Sequence, residues 1–506
     1  MNLSIYALFV LSVISCSLLT ILVRNFALRH RLIDNPKRAR KIHNKEIPRL
    51  GGVSIITSFV IILTLGSFFC DPLKKLLHGE SITLLVIVLG GTVIFFLGIF
   101  DDYFGISHKT KLIVEITTIV IVVWSAELSP NYLQFPIFGA FFLPSGFGFF
   151  LACLWIAGMV NAINFVDGLD GLATGISLIG LLGILVITYY LQIYQVLFPA
   201  FLFSGCLLGF LIYNSRPACI FLGDCGSLTI GYFIGCFSLL ASFREKEAIE
   251  ALFPIILFAV PITDCSLAIV RRFCSGRSPF YPDVEHIHHR LMSKGLSHGK
   301  TVIAIWLIAL ICAYISVALE FLYKDFLLAI LVLFLVGCIV LLRYLNFFKF
   351  NYSTGEFNSF VKKRKVVKFS EKLIKDAEML LNRSANHENI NISLEYVANV
   401  LDCDEVKLSI YKQLKTKNGK NFSKTDQGIE DIYWKNPKNS SNLKSTDLFV
   451  AKYPLSGRNI KYGEIRYSFI SNRSKIEIHE EIQLERFHDA LVALASRTLD
   501  ISFFDK

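Results

Sequence analysis

The stretch from Asn161 to Leu172 reads NAINFVDGLDGL, and it separates two apolar runs that are each long enough to cross a membrane. It holds two asparagines, two aspartates and two glycines. Carboxylates this close to a hydrocarbon core are costly to keep charged, so residues of this kind are functional by default. The alternative interpretation is a polar turn that only solvates the end of a helical hairpin.

The rest of the chain has the composition of a multi-span membrane protein. Of its 506 residues, 54% are hydrophobic, which is too apolar for one soluble domain. The residues from Met1 to Val23 lack the basic start of a secretory signal and continue for the length of a span, so we interpret them as the first transmembrane helix. By apolar length, about 11 spans of roughly 20 residues are predicted. They are centred near Leu11, Ile61, Val88, Ile119, Leu154, Leu182, Leu207, Ile234, Phe258, Leu310 and Leu333.

The composition changes near Asn346, where Lys, Glu, Asn and Ser replace the apolar runs. We therefore predict a membrane core over residues 1–345 and a soluble domain over 346–506. In the second part, Phe369–Leu381 and Ile482–Leu499 have helical spacing, and Lys407–Leu414 and Gly463–Ile470 alternate like half-buried strands. The predicted fold class is an all-α polytopic membrane protein with a C-terminal cytoplasmic α+β domain. The order of elements in that domain resembles a GAF or PAS sensor, and a docking domain for partner enzymes is the alternative.

The positive charge of the chain indicates its orientation. The net charge is +11, and much of the base in the membrane half lies in the loops Arg24–Arg49 and Arg271–Lys300, which marks them as cytoplasmic and does not argue for nucleic acid. With 11 spans the N-terminus is then outside and the tail inside. The same alternation places the polar residues around Asp101, Asn164, Asp224 and His288 inside. A transporter would carry acids within spans and on both faces, so this sorting favours an enzyme with a cytoplasmic active site.

Two of the inner loops carry aspartates in positions that suit catalysis. Asp101 and Asp102 are adjacent at the inner end of a span, and Lys111 follows shortly after. Neighbouring carboxylates raise each other's pKa unless a cation lies between them, which suits a general base, a metal site or both. Asp224 lies in the glycine-rich FLGDCGS, and one such carboxylate is the usual protein share of a magnesium site. Taken alone, each also fits an ordinary turn.

The longest inner loop is rich in histidine and arginine. Arg277 precedes PDVEHIHHRL, which contributes His286, His288, His289 and Arg290. Without cysteines or a closed tetrahedral set this is a poor structural zinc site, and the 12 cysteines form no CxxC pair. Imidazole and guanidinium suit a diphosphate and its attached groups better. In the first inner loop, His43 and Arg49 are candidates to hold phosphate or sugar, with topogenic charge as the alternative.

Five motifs in this order resemble the polyprenyl-phosphate N-acetylhexosamine-1-phosphate transferases, over roughly residues 1–345. They are DNPKRARKIHNKEIPRLGG, DDYFG, NAINFVDGLDGLA, FLGDCGS and PDVEHIHHRL. The histidine motif is similar to the branch that uses UDP-N-acetylglucosamine. The phospho-N-acetylmuramoyl-pentapeptide transferase of peptidoglycan has an HHH-type motif and is the alternative. The acid pair is followed by Tyr103 and Phe104, so any role of a third acid in some members is not carried over.

The resemblance implies transfer of N-acetylhexosamine 1-phosphate, most simply N-acetylglucosamine 1-phosphate, from its UDP-sugar to undecaprenyl phosphate, with release of UMP. Magnesium is the expected cofactor, with manganese as an alternative, and its ligands are expected to be Asp224 and Asn164. Asp101 is the expected base, supported by Asp102. Whether the lipid phosphate attacks directly or an aspartate first takes the phosphosugar stays open. The expected substrate-binding residues are His43, Arg49, Lys111, Asn161, Asp167, Asp170, Arg277, His286, His288, His289 and Arg290.

The expected setting is the bacterial cytoplasmic membrane, at the first membrane step of a cell-surface polysaccharide such as O-antigen or teichoic acid. Expected partners are undecaprenyl phosphate, a UDP-N-acetylhexosamine, the bilayer, a second copy of the chain and downstream glycosyltransferases through the tail; nucleic acid is not expected. Two other classes stay open: a transporter or flippase, and a membrane-tethered sensor in which the tail is the active part.

Overall fold

The computed structural model divides the chain into two compact units. The first unit contains Met1–Arg271 and Asp283–Phe350, and the second contains Arg272–Pro282 and Asn351–Lys506. The structure describes residues 3–30, 33–34, 47–70, 73–74, 82–135, 139–144, 146–243, 248–250, 252–274, 286–321, 324–344, 375–377, 379–380, 387–401, 403, 405–412, 428–435, 448–457, 460–470, 487–488 and 491. The predicted boundary between residues 345 and 346 stays a prediction.

The first unit is a helical bundle. In chain order its helices are α1 (Leu3–Arg29), α2 (Gly51–Phe69), α3 (Thr83–Phe104), α4 (His108–Ser125), α5 (Phe147–Val166), α6 (Leu172–Tyr190), α7 (Tyr194–Asn214), α8 (Gly223–Ser242), α9 (Leu252–Leu257), α10 (Ala259–Cys274), α11 (Ile287–Ser293), α12 (His298–Phe321) and α13 (Lys324–Tyr344).

Among the described residues, eight helices are long and apolar enough to cross a membrane: α1, α2, α3, α5, α6, α7, α8 and α12. The chain is therefore a multi-pass membrane protein. The other three predicted spans fall on α4, on α9 with α10, and on α13. Helix α4 carries Lys109, Lys111 and Glu115, and α9 and α10 are short helices that meet at Phe258, so neither matches an uninterrupted apolar span. The count of 11 stays a prediction.

Helix α8 lies at the centre of this bundle, and nearly all of its residues are buried. Glycines let its neighbours approach its backbone. A Cβ at Gly52 of α2 would lie 2.3 Å from the Gly226 nitrogen, and one at Gly98 of α3 would lie 2.4 Å from the Cys225 Cα. A Cβ at Gly231 of α8 itself would lie 2.6 Å from the Met159 carbonyl oxygen on α5. Close packing through small residues is how helices associate where the surrounding lipid is as apolar as the side chains.

The ends of these helices bring the polar loops together. The C-terminal ends of α3 and α5 meet the start of α8. The start of α6 meets the end of α7 through Thr174 and Asn214, whose side chains lie 2.9 Å apart. At the other end of α4 and α8 lies a three-stranded sheet of β3 (Tyr132–Phe135), β4 (Gly139–Phe142) and β5 (Ala248–Glu250), in the order β4-β3-β5. The short strands β1 (Ile33–Asp34) and β2 (Ile47–Pro48) pair antiparallel in the first loop.

In the second unit, α14 (His387–Leu401) packs on an antiparallel sheet of β6 (Glu405–Lys412), β7 (Gly428–Lys435), β8 (Leu448–Gly457) and β9 (Ile460–Ile470), in the order β7-β6-β9-β8. The predicted strands fall on β6 and β9. Most of the predicted helices Phe369–Leu381 and Ile482–Leu499 lies outside the described residues. The GAF or PAS assignment stays a prediction.

The close contact between α5 and α8 gives a test of the packing. Gly231→Ala places a methyl group against the backbone of Met159 and Val160, so we expect the melting temperature in detergent to fall by about 5 °C or more. Gly158→Ala on α5 is the matched control, because a Cβ there meets nothing within 4 Å. The control should melt at or slightly above the wild-type temperature, since alanine favours a helix over glycine. Equal melting of the two variants would contradict this packing.

Candidate active site

Lys111 joins two carboxylates from different helices at one end of the bundle. Its ammonium group lies 2.7 Å from Asp101 Oδ2 and also forms an ion pair with Asp224. The three side chains come from α4, α3 and α8 respectively, and the Lys111 and Asp101 side chains are each largely buried. The sequence analysis placed each of them at an inner span end, and the structure brings them into one cluster.

The turn between α3 and α4 produces this pairing. Helix α3 ends at Gly105, whose φ of +68° is the left-handed conformation that glycine adopts readily. Asp101 Oδ1 accepts a hydrogen bond from the Ile106 nitrogen at 2.8 Å, and Ser107 caps α4 by accepting from the Thr110 nitrogen. The chain thereby reverses, so that Lys111 in the first turns of α4 faces Asp101.

Asp102 has a different environment from its neighbour Asp101. Its two carboxylate oxygens accept hydrogen bonds from the backbone nitrogens of Asp224, at 3.0 Å, and Cys225, at 2.9 Å. The first N–H groups of a helix have no partner within the helix, and a carboxylate there also meets the positive end of the helix dipole. Asp102 therefore anchors the start of α8 and holds Asp224 in place. Its expected support of Asp101 or the metal is, on this geometry, indirect.

The glycine before Asp224 allows the close contact between Asp102 and the start of α8. Gly223 has φ +73°, and a Cβ there would lie 2.1 Å from the Arg49 carbonyl oxygen and 2.7 Å from Asp102 Oδ2. The Pro48 carbonyl accepts from the Phe221 nitrogen at 2.8 Å. Arg49 is thus held by its backbone beside Asp224, with an exposed side chain.

Asn164 and Asn161 lie on one side of α5 but contact different partners. The Asn164 amide donates to Ser227 Oγ at 2.9 Å and lies 3.4 Å from Asp224 Oδ1, so it borders the charged cluster. The Asn161 amide donates to Glu115 Oε1 at 2.7 Å, which places it one turn deeper in the bundle. Its predicted role in substrate binding stays a prediction. The sequence analysis missed Glu115, and the only signal for it was one acid in an apolar helix, four residues after Lys111.

The two aspartates of the DGLDG loop, Asp167 and Asp170, also have different neighbours. Burial and the charge of Asp224 raise the pKa of Asp167 to about 7, against the opposing effect of Arg49. Asp167 therefore belongs to the electrostatic surroundings of Asp224. Asp170 Oδ2 accepts from the Ala218 nitrogen at 3.2 Å, and the Asp170 nitrogen donates to His298 Nε2 at 3.1 Å. Asp170 thus ties the loop to neighbouring segments, and the sequence analysis had not singled out His298.

The histidine motif lies against this loop. The rings of His286 and His288 are parallel, with centroids 5.7 Å apart, and a Cβ at Gly168 would lie 2.5 Å from His288 Nε2. Burial, reinforced by His289, lowers the pKa of His288 to about 3, so its ring is neutral near pH 7. His289 and Arg290 are half-buried on α11. His43 and Arg277 lie outside the described residues.

His286 also has a partner that the sequence analysis missed. Asp264 on α10 lies with Oδ2 at 2.8 Å from His286 Nδ1, and its Oδ1 accepts from the Ile287 nitrogen at 2.7 Å. Nothing in the sequence relates this single acid in an apolar helix to a motif 22 residues away.

The oxygen donors around Asp224 suit magnesium that shares its coordination with a substrate. Among the described residues, no group of three His, Cys, Asp or Glu side chains is placed to hold a metal ion. Magnesium commonly takes only one or two protein carboxylates and completes its shell with waters and phosphate oxygens. Asp224 and the carbonyl oxygen of Asn164 are donors of that kind.

Comparisons with known proteins agree on one family. The glycosyl transferase family 4 model matches residues 84–242, from α3 to α8. The chain is 34% identical to the probable undecaprenyl-phosphate N-acetylglucosaminyl 1-phosphate transferase of Bacillus subtilis (strain 168) over 312 residues, which cover 62% of this chain and 84% of that protein. It is 33% identical to the decaprenyl-phosphate N-acetylglucosaminephosphotransferase of Mycolicibacterium smegmatis, over 56% of this chain and 74% of that protein.

A third relative is the undecaprenyl-phosphate alpha-N-acetylglucosaminyl 1-phosphate transferase of Salmonella typhi, which is 29% identical over 59% of this chain and 80% of that protein. The names of all three relatives contain the same sugar and a polyprenyl phosphate.

The two adjacent aspartates should respond differently to substitution. Asp102→Ala leaves two partly buried N–H groups at the start of α8 without their acceptor, and each such loss costs up to about 1–3 kcal/mol. We therefore expect a lower melting temperature in detergent. Asp101→Asn keeps an acceptor for the Ile106 nitrogen and should melt closer to the wild type. A wild-type melting temperature for Asp102→Ala would contradict the anchoring role.

The neutral His288 should make the protein less stable in acid. A histidine in the unfolded chain has a pKa near 6.5, whereas burial in the folded protein lowers the pKa of His288 to about 3. In that window the unfolded state binds more protons, so stability falls as the pH falls, by up to about 1.4 kcal/mol per pH unit. Melting temperatures between pH 5 and 8 should depend less on pH in His288→Gln than in the wild type. Replacement of the exposed His108 by Gln should leave the wild-type slope; an unchanged slope in His288→Gln would refute the assignment.

Proposed function

The chain belongs to glycosyl transferase family 4, and from this premise we propose that it transfers N-acetylglucosamine 1-phosphate to a polyprenyl phosphate. The proposal rests on the 34% identity to the Bacillus subtilis relative, 84% of whose length is covered and whose name contains that sugar and that class of acceptor. The matched region contains the cluster of Asp101, Lys111 and Asp224. The shared sugar in the relatives' names favours N-acetylglucosamine over the muramoyl-pentapeptide alternative.

We take the donor to be UDP-N-acetylglucosamine and the acceptor to be undecaprenyl phosphate. An oxygen of the lipid phosphate attacks the phosphorus that bears the sugar, and the bond from that phosphorus to the bridging oxygen breaks. The products are the lipid diphosphate sugar and UMP. Catalysis of such a transfer consists mainly of positioning and of neutralising the phosphate charges. The lipid substrate needs a site at the membrane surface, and the inner helix ends provide one.

Lys111 and Asp101 have the central roles in this proposal. In the absence of substrate the Lys111 ammonium group is balanced by two carboxylates. An entering phosphate competes for this ammonium group, and Asp101 Oδ2 then becomes available to accept or orient the proton of the lipid phosphate. Asp102 keeps the start of α8 in position throughout, because both of its oxygens are held by backbone N–H groups.

Asp224 and Asn164 are the residues that would hold magnesium, which would neutralise negative charge on the diphosphate when bound. Asp167 adds a third oxygen donor to the surroundings of Asp224. Because His288 is neutral, the positive charge offered to the diphosphate from α11 comes from Arg290, while His288 contributes hydrogen bonds.

We propose a cytoplasmic orientation for the site, with the N-terminus outside, in the bacterial cytoplasmic membrane. The base-rich loops and the need for a nucleotide donor both support this orientation. The product would begin a cell-surface polysaccharide. A second copy of the chain, and downstream glycosyltransferases acting through the tail, are the proposed partners.

A transfer assay with purified full-length protein tests the function. The protein in lipid is supplied with undecaprenyl phosphate, magnesium and one UDP-N-acetylhexosamine at a time, and UMP and lipid-linked sugar are read by mass. We expect product with UDP-N-acetylglucosamine and much less with its C4 epimer. The absence of product from every donor with folded protein would overturn the proposal.

The metal assignment is tested by Asp224→Asn. Loss of the carboxylate should lower the transfer rate at least about 100-fold and shift the magnesium dependence to higher concentrations, because the main protein ligand is weakened. Glu127→Gln, an exposed acid beyond the far end of α4, is the control and should keep wild-type transfer. Full activity of Asp224→Asn with an unchanged magnesium dependence would show the assignment to be wrong.

A further inference from the structure

Asp264 is a fully buried carboxylate that contacts the histidine motif and has no part in the reaction proposed above. It lies on α10, is 1% exposed, and uses both oxygens on the histidine motif: Oδ2 with His286 Nδ1 at 2.8 Å, and Oδ1 with the Ile287 nitrogen at 2.7 Å. A buried carboxylate is costly unless it is well paired. Both oxygens of Asp264 are thus hydrogen-bonded at the start of α11, and this helix carries the remaining residues of the motif.

This contact determines which nitrogen of His286 carries the proton. A carboxylate only accepts hydrogen bonds, so Nδ1 of the 7% exposed His286 must be the donor. In the neutral ring, Nε2 is then left as the acceptor. An acceptor nitrogen cannot bind an unprotonated phosphate oxygen, since both groups accept. It can bind a hydroxyl or an amide N–H.

The same contact orients the rest of the motif. The His286 ring is held edge-on to Phe165 of the NFVDG sequence, with centroids 5.8 Å apart, and parallel to His288, which contacts Gly168. The second hydrogen bond of Asp264, from the Ile287 nitrogen, holds the backbone at the start of α11. One carboxylate therefore sets both the ring of His286 and the direction of the helix that presents Arg290.

We propose that Asp264 is a positioning residue for the transfer reaction: it holds His286 as the Nδ1–H tautomer, with Nε2 as an acceptor for a hydroxyl or N–H group of the sugar donor. The proposal rests on the proposed function, because it assumes a sugar donor at this motif. It divides the motif between Arg290, which faces negative charge, and His286, which faces a donor group.

The decisive variant is Asp264→Asn. Asparagine keeps a carbonyl oxygen for the Ile287 nitrogen but turns an NH2 group toward His286 Nδ1. The ring proton must then move to Nε2, while the shape of the side chain is almost unchanged. We expect kcat/KM for the sugar donor to fall about 100-fold or more, since an Asp-to-Asn change that reverses a histidine tautomer in a catalytic triad costs about 10⁴. The melting temperature should change little.

Two further measurements separate this role from a structural one. In a His286→Gln background, Asp264→Asn should lower kcat/KM by less than about twofold, because Asp264 acts through His286. In protein labelled with 15N-histidine, the His286 resonances, assigned by their loss in His286→Gln, should show a protonated Nδ1 in the wild type and a protonated Nε2 in Asp264→Asn.

Each outcome supports or overturns the proposal. Wild-type transfer by a folded Asp264→Asn variant would overturn it and leave Asp264 as an anchor of α11 only. A protonated Nε2 in the wild type, with or without a proton on Nδ1, would also overturn it, because Nε2 would then be a donor; this result holds even if Asp264→Asn fails to fold. Absence of transfer in the wild type would instead refute the proposed function, and the tautomer measurement would still report on the Asp264 contact.

Discussion

The site depends on the placement of one ammonium group between two carboxylates near the membrane. Lys111 contacts Asp101 and Asp224, and these residues come from three different helices. Two carboxylates and one ammonium leave a net negative charge, in surroundings where a pair of unit charges 4 Å apart interacts by about 4 kcal/mol. The arrangement is therefore held together without substrate, yet it still favours a further cation. In the proposed reaction, magnesium bound with the substrate phosphate would supply that cation, and the phosphate would compete for the lysine.

The remaining structure holds these charges at fixed positions. Helix α8 carries Asp224, and it can be reached closely by its neighbours only because Gly52, Gly98 and Gly231 lack side chains. Asp102 on α3 also holds α8 by accepting hydrogen bonds from its first backbone N–H groups. The adjacent residues Asp101 and Asp102 therefore differ in their contacts: Asp101 pairs with Lys111 and is the base in the proposed reaction, whereas Asp102 fixes the start of α8. Preorganised charge of this kind needs no rearrangement at the moment of reaction.

Much of the site could be predicted from the sequence, because the residues involved lie at the ends of apolar runs. Topology alone brings Asp101, Asn164, Asp224 and His288 to one end of the bundle, and the structure confirms that they converge. The distinction between Asp101 and Asp102 could not be predicted, since it arises from the direction of each side chain on α3. Asp264, Glu115 and His298 were missed for a related reason: their partners are distant in sequence, and a lone polar residue in an apolar helix carries no spacing signal.

The same limits apply to the fold. In the part of the chain that the structure describes, eight of the predicted spans are continuous apolar helices, whereas the regions near Ile119 and Phe258 depart from that pattern. Helix α4 accepts charged residues because Lys111 and Glu115 find partners on α3, α5 and α8. Because these charged side chains are paired with residues of other helices, α4 is tolerated in the bundle although its hydropathy is lower than that of the eight apolar helices. In the second unit, the alternation in β6 and β9 predicted strands, but strand order follows from long-range pairing that periodicity does not encode.

The most direct test of the central claim is the rate of sugar-phosphate transfer to polyprenyl phosphate by Lys111→Met, compared with Lys109→Met. Both lysines lie at the start of α4, but Lys109 is exposed and Lys111 joins the two carboxylates. We expect a rate at least about 100-fold below wild type for Lys111→Met and a near wild-type rate for Lys109→Met. A folded Lys111→Met variant that transfers at the wild-type rate would contradict this claim.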